Sequence, residues 1–164
     1  MGREQAKRSA KELKKKKIDF IFYSDILRTK QTAAIVSKEI GIKPSLDKRL
    51  REVDSGVLNG KPLSEARNFW LKKEGEKCSK VVHYMRRFYM VPPKAESYMN
   101  VEKRMVDFIK DMENKYRGKN IVIVSHQRPL TLLEKGIHGW SKRKTAEIVA
   151  FKKELGEGRL KKLN

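Results

Sequence analysis

Twice in this chain a short apolar run passes straight into a stretch with helical spacing, and that arrangement constrains the fold more than any other feature. Ile18-Asp-Phe-Ile-Phe-Tyr23 breaks at Ser24 or Asp25, read as a helix cap, into a helical segment from Ile26 to Ile40 that Gly41 stops. Asn120-Ile-Val-Ile-Val-Ser125 continues through His126 into a second helical segment starting around Pro129, whose fixed φ suits a first helical position. Unbroken β-branched runs belong to strands covered on both faces, and strand followed by helix is the building unit of a parallel sheet. The expected fold is therefore α/β: a three-layer α/β/α sandwich with a mostly parallel sheet. Such folds bind ligands beyond the carboxyl ends of their strands, which is where the chain places Arg28 and His126.

The remaining elements follow from period and punctuation. Gly2 to Lys17 reads as a helix with Ala6, Ala10 and Leu13 on one narrow face. Leu46 to Asn59 has no period and many turn formers, so it reads as a loop with at most one short strand. A helix is expected from Leu63 to Lys72. Asn100 is expected to cap another, whose Val101, Met105, Phe108, Ile109, Met112 and Tyr116 form an apolar stripe ending before Gly118. Ala146 to Phe151, Glu154 to Gly158 and Arg159 to Leu163 read as a β-hairpin with a glycine turn. The 164 residues suit one domain, with residues 61–97 too irregular to belong to the layered core.

Forty Lys and Arg against twenty Asp and Glu leave a net charge of +20, which favours anionic partners: phosphorylated metabolites, RNA or another polyanion. The same charges could simply solvate helix faces, so charge does not choose a substrate. No apolar run reaches the ~20 residues of a membrane span, and the N-terminus lacks the apolar centre of a signal peptide. The expected location is the cytoplasm. Cys78, the single cysteine, excludes an intrachain disulfide and makes a zinc site with nearby His83 a remote prospect.

Arg28 is the first candidate for chemistry. A permanently charged guanidinium in a first helical turn combines charge, fork geometry and helix dipole in favour of an oxyanion. The competing reading is an ion pair with Asp25 or a solvated arginine. His126, at a strand end, could serve a site or merely satisfy a backbone carbonyl. Glu52, in Leu50-Arg-Glu52-Val-Asp-Ser-Gly56, could be functional or could pair with Arg49 or Arg51.

Taken together, Ser24-Asp-Ile-Leu-Arg28, Leu50-Arg-Glu52 to Gly56 and Val124-Ser-His126 resemble, in order and separation, the motifs of the histidine phosphatase superfamily, also called phosphoglycerate-mutase-like. The resemblance covers nearly the whole chain. It implies phosphomonoester hydrolysis or phosphate transfer through a phosphohistidine, on a phosphorylated small molecule, without metal or organic cofactor. Arg28 would clamp the phosphoryl group, His126 would stabilise transition-state charge and Glu52 would protonate the leaving oxygen. Burial would have to raise the Glu52 pKa while Arg28 opposes it. Gln127 stands where the family usually has glycine, so its amide could reach phosphate while its side chain intrudes. Glu96-Ser97 matches a pair expected to cap structure without reacting, and residues 61–97 match a variable cap over the pocket.

The family's reacting histidine lies in an Arg-His-Gly motif at the end of a first strand, and no Arg-His-Gly occurs in this sequence. Neither His83 nor His138 is at a strand end, so neither is expected to replace it. The chain is thus expected to lack that first strand and to be inactive alone. Three explanations stand: a fragment of an ordinary phosphatase domain, a domain whose first strand comes from a second segment, or a non-catalytic module binding phospho-ligands or RNA. For RNA, the basic-aromatic stretch Tyr84-Met-Arg-Arg-Phe-Tyr89 is the candidate surface.

Overall fold

The computed structural model describes residues 2–74 and 79–151. In chain order the elements are α1 (Gly2–Lys14), β1 (Phe20–Tyr23), α2 (Leu27–Ile40), β2 (Pro44–Leu46), α3 (Leu63–Glu74), α4 (Lys80–Arg86), α5 (Tyr98–Lys115), β3 (Ile121–Val124), α6 (Gln127–His138) and α7 (Lys142–Phe151), with short 3₁₀ turns at Lys48–Leu50 and Gly56–Leu58. The three strands form a parallel sheet in the order β2-β1-β3. Phe20 lies opposite Ile121, Tyr23 opposite Val124 on one side, and Tyr23 opposite Leu46 on the other. This alignment brings the carboxyl ends of β1 and β3 level, and with them the two strand-to-helix junctions.

Alternation along the strands assigns the layers. Ile21 and Tyr23 pack with Val122 and Val124 beneath α1 and α2, against Ala10, Leu13, Ala33 and Val36. Phe20 and Phe22 face the other way with Ile121 and Ile123, into a larger core built from α5 and α6 by Val101, Met105, Phe108, Met112, Leu132 and Leu133. Phe22 meets Phe108 edge to face at 5.5 Å between ring centroids, an arrangement contributing about 1 kcal/mol beyond area burial. Helices on both faces of a parallel sheet make this the expected α/β/α sandwich. The stripe residues of α5 lie where its period put them. β3 pairs with β1 alone among the described residues, and its four apolar residues are all only partly buried.

Local corrections have physical causes. α5 starts at Tyr98 with Ser97 as its cap, the Ser97 hydroxyl accepting from the Asn100 amide at 3.2 Å; Asn100 is inside the helix. α2 has Ile26 in the cap position with no side-chain cap, because the Ser24 hydroxyl is engaged elsewhere and lies 3.5 Å from the Ile26 amide. α6 begins at Gln127, two residues before Pro129, with His126 in the cap position. Ala146 to Phe151 belong to helix α7, not to a hairpin strand. Ser141 opens that helix by accepting from the Lys144 amide, and packing against α4 and α6 buries Thr145 and Ala146, overriding the β-propensity of Ile148 and Val149. The rest of the expected hairpin lies outside the described residues, as does Cys78. No described helix is long and apolar enough to cross a membrane.

Candidate functional site

Arg28, Glu52 and His126, separated by up to 98 residues, meet at the carboxyl end of the sheet. His126 follows β3 and is 5% exposed. Its Nδ1 receives Arg28 twice, from Nε at 3.0 Å and from Nη2 at 2.7 Å, and its Nε2 lies 2.9 Å from the Ser24 hydroxyl. Burial first, then the neighbouring charges of Arg28 and Arg104, depress the His126 pKa to about 4, with Asp25 opposing. The ring is therefore neutral near pH 7. Arg28 projects from the first turn of α2 with its side chain 62% exposed, and its Nη2 lies 3.6 Å from Glu52 Oε2. Both α2 and α6 start here without a side-chain cap on the cap residue, so two helix N-termini flank the same spot.

The ion pairs expected as alternatives for Arg28 and Glu52 are not the ones formed. Asp25 pairs with Arg51 at 2.9 Å and not with Arg28. Arg49 is taken by Asp47 at 2.8 Å and Asp111 at 2.5 Å. Glu52, 25% exposed, is left facing Arg28, its other oxygen accepting from the Val53 amide at 2.9 Å. Gln127 is exposed at the start of α6, beside His126. His83 lies in α4 against Trp70 and Tyr84, and His138 ends α6 stacked on Trp140, so the structure leaves both outside this cluster.

Four residues with a part in the site escaped the sequence reading. Arg104 in α5 grips Glu96 through two parallel bonds of 2.8 and 2.9 Å, and donates to the carbonyls of Arg49 and Glu52. Glu96 in turn accepts from the Asp54 amide at 3.1 Å, and Ser125 donates to the Leu50 carbonyl at 2.7 Å. The Glu52 loop, without regular structure of its own, is thereby pinned to α5 and to the end of β3. Glu96-Ser97 does serve structure: one residue anchors the loop, the other caps a helix. Arg128 stands near Glu52; burial disfavours its charge, but Tyr98, Glu52 and a hydrogen bond with Tyr84 outweigh that and raise its pKa. A cation two residues after His126 was a readable signal. Nothing set Arg104 apart from other basic residues on α5. Ser24 was read as a cap, and its engagement by His126 depends on the pairing of β1 with β3.

A catalytic serine is not what Ser24 and His126 form. Ser24 is fully buried, and the imidazole nitrogen that a carboxylate would face in such a dyad faces a guanidinium.

Comparison with known proteins decides the lineage. The family model of the histidine phosphatase superfamily (branch 1) matches residues 1–155. The chain belongs to that superfamily. It is similar to the 2,3-bisphosphoglycerate-dependent phosphoglycerate mutase of Methylobacterium sp. (strain 4-46), 31% identical over 142 residues, covering 81% of this chain and 64% of the relative. It is also similar to phosphoserine phosphatase 1 of Hydrogenobacter thermophilus, at 26% identity over 79% of this chain and 58% of that one. Among solved structures, mycobacterial glucosyl-3-phosphoglycerate phosphatase in complex with VO3 superposes with a TM-score of 0.71 at 20% identity, over 88% of this chain and 69% of that one, a likeness of fold. The chain spans about three fifths of the length of the curated relatives it matches.

Proposed function

We propose that the pocket between Arg28, Glu52 and His126 receives the phosphoryl group of a small phosphomonoester in a cytoplasmic phosphatase or mutase of the phosphohistidine type. The reacting imidazole is to be supplied by a strand bearing Arg-His-Gly, from the same polypeptide or a second segment. One observation carries the reading: an arginine, a neutral buried histidine and a carboxylate converge where two helix N-termini also point. Arg28 then clamps the equatorial oxygens, with Gln127 and its neighbours offering amide groups, and Glu52 is placed to protonate the leaving oxygen. The half-covered edge of β3 supports the missing-strand proposal, since a further parallel strand there would end beside His126. Residues 61–97 are proposed as the cap over this pocket, and the substrate names of the relatives support a small phosphorylated metabolite as ligand.

The polyanion alternative draws less support. Of the basic-aromatic stretch, Phe88 and Arg87 are buried and Tyr84 packs against the core, leaving Tyr89 as its exposed ring. That is not a stacking platform for successive bases.

Calorimetry with vanadate at low salt tests the pocket. Arg28→Ala should weaken binding by about 2 kcal/mol, the range for losing a charge-assisted paired contact. The chain alone should not hydrolyse an aryl phosphate above background, and adding a peptide that carries the Arg-His-Gly strand should create turnover. Unchanged vanadate affinity in Arg28→Ala would overturn the assignment of the pocket.

A further inference from the structure

The structure assigns Ser24, backed by Thr29, the task of holding His126 as the tautomer protonated on Nε2, so that Nδ1 is the atom turned toward Arg28 and toward a bound phosphoryl group. Only the last clause rests on the phosphoryl reading; the tautomer itself follows from donor and acceptor chemistry. A guanidinium has five donors and no acceptor. His126 Nδ1, met by Arg28 Nε at 3.0 Å and Nη2 at 2.7 Å, therefore offers its lone pair, but the Arg28 side chain is 62% exposed and able to turn away, so keeping that tautomer falls to the buried Ser24 side. A neutral imidazole then carries its proton on Nε2, and the Ser24 hydroxyl 2.9 Å away must accept it.

The Ser24 proton is directed in turn to Thr29 Oγ1 at 2.7 Å, and the Thr29 proton to the carbonyls of Ser24 and Ile26 at 2.9 and 2.7 Å. Those carbonyls accept and cannot donate. The chain of hydrogen bonds thus begins at a permanent cation, ends at backbone carbonyls and has one consistent direction. Reversing it would set the Nδ1 proton against the Arg28 donors. His126, Ser24 and Thr29 are all buried, so no bulk water stands ready to take over a lost partner.

An anion that draws the Arg28 donors to itself leaves the Nδ1 lone pair facing negative charge. The favourable outcome is proton uptake at Nδ1, after which the imidazolium donates to a phosphoryl oxygen while Nε2 keeps its bond to Ser24. Ser24 and Thr29 are positioning residues in this scheme; neither touches the ligand.

The test uses the full chain with ¹⁵N-labelled histidine at pH 7, reading the His126 tautomer by two-bond nitrogen-proton couplings, and calorimetry with inorganic phosphate. Wild type should show the proton on Nε2. Ser24→Ala and Thr29→Val should give mixed tautomers, and Thr29→Ser should restore the single one. Phosphate affinity should drop roughly tenfold in Thr29→Val and recover in Thr29→Ser, as loss of one positioning hydrogen bond implies. Thr29→Val keeps the side-chain volume, so the comparison survives if Ser24→Ala fails to fold. A wild-type proton on Nδ1, or an unaltered tautomer in Thr29→Val, overturns the assignment. A wild type with the stated tautomer and no phosphate binding supports the hydrogen-bond lock and refutes the phosphoryl reading of the site.

Discussion

The depressed proton affinity of His126 makes the stability of this protein pH-dependent between about pH 6.5 and pH 4. Burial, Arg28 and Arg104 lower its pKa from the ordinary histidine value of 6.5 to about 4 in the folded chain. The unfolded chain therefore binds this proton first as pH falls. The stabilising contribution is complete above about pH 6.5, declines from there to about pH 4, and totals about 3 kcal/mol across the window. Between pH 7.5 and 5 the loss should be about 2 kcal/mol, enough to move a urea midpoint by roughly 1 M for a domain of this size. Asp19 and Asp54 are held low by the amides of Asn120 and Gly56, and Asp47 by Arg49 against the cost of its burial. The stability they provide is present above the ordinary aspartate range and is lost only at lower pH, outside the chosen interval. Urea unfolding of wild type and His126→Asn at pH 7.5, 6.5 and 5, in phosphate-free buffer, isolates the histidine as the difference in pH slope. The variant should lose less than about 0.5 kcal/mol over the interval that costs wild type about 2. Parallel slopes would refute the claim that His126 is buried neutral between a guanidinium and a hydroxyl.

Two further outcomes follow from the Glu52 loop. Gly56 has φ of +57°, and a Cβ there would lie 2.2 Å from the Pro93 carbonyl oxygen and 2.5 Å from the Ala95 amide, so Gly56→Ala should destabilise by about 2–4 kcal/mol in urea, from backbone strain and overpacking together; a change under about 0.5 kcal/mol would contradict that close approach. With the nucleophile restored, Glu52→Gln should leave vanadate affinity near wild type and lower turnover of alkyl phosphates by roughly 100-fold, with a smaller loss for nitrophenyl phosphate, whose leaving group departs unprotonated; equal losses for both substrates would assign Glu52 to structure.

The sequence carried the layered fold because its strongest signals were local and periodic. β1 and β3 were readable as unbroken apolar runs, α5 as a stripe, and the end of α2 as Gly41, which takes the left-handed conformation at φ +77°. Arg28 and His126 were readable for the same reason: each follows a recognisable strand, His126 two residues after β3 and Arg28 in the first turn of the helix after β1. What escaped was decided by tertiary contacts. The Ser24 hydroxyl had two plausible uses, a helix cap or a buried partner, and the choice depended on His126 arriving 102 residues later through strand pairing. Arg104 looks like any polar-face arginine until Glu96 and the Arg49 and Glu52 carbonyls are brought around it. The apolar residues of α7 favour a strand by composition, and helix packing against α4 and α6 overrules them.

The three candidate groups reach the site on independent supports, and this bears on how the chemistry would be ordered. Arg28 is carried by the β1–α2 junction and His126 by the β3–α6 junction, whereas Glu52 rides on a loop that Arg104 and Glu96 fasten to α5. The guanidinium is shared: its Nε and Nη2 point at one imidazole nitrogen, and Glu52 stands off at 3.6 Å, too far for a tight paired contact. An incoming phosphoryl group would compete only with a neutral acceptor and a loosely held carboxylate, both weaker partners for a guanidinium than a dianion is. On the proposed reading, the phosphate clamp is therefore engaged without breaking a tight ion pair, and Glu52, fastened through its own loop to α5, keeps its place while Arg28 turns to the phosphate.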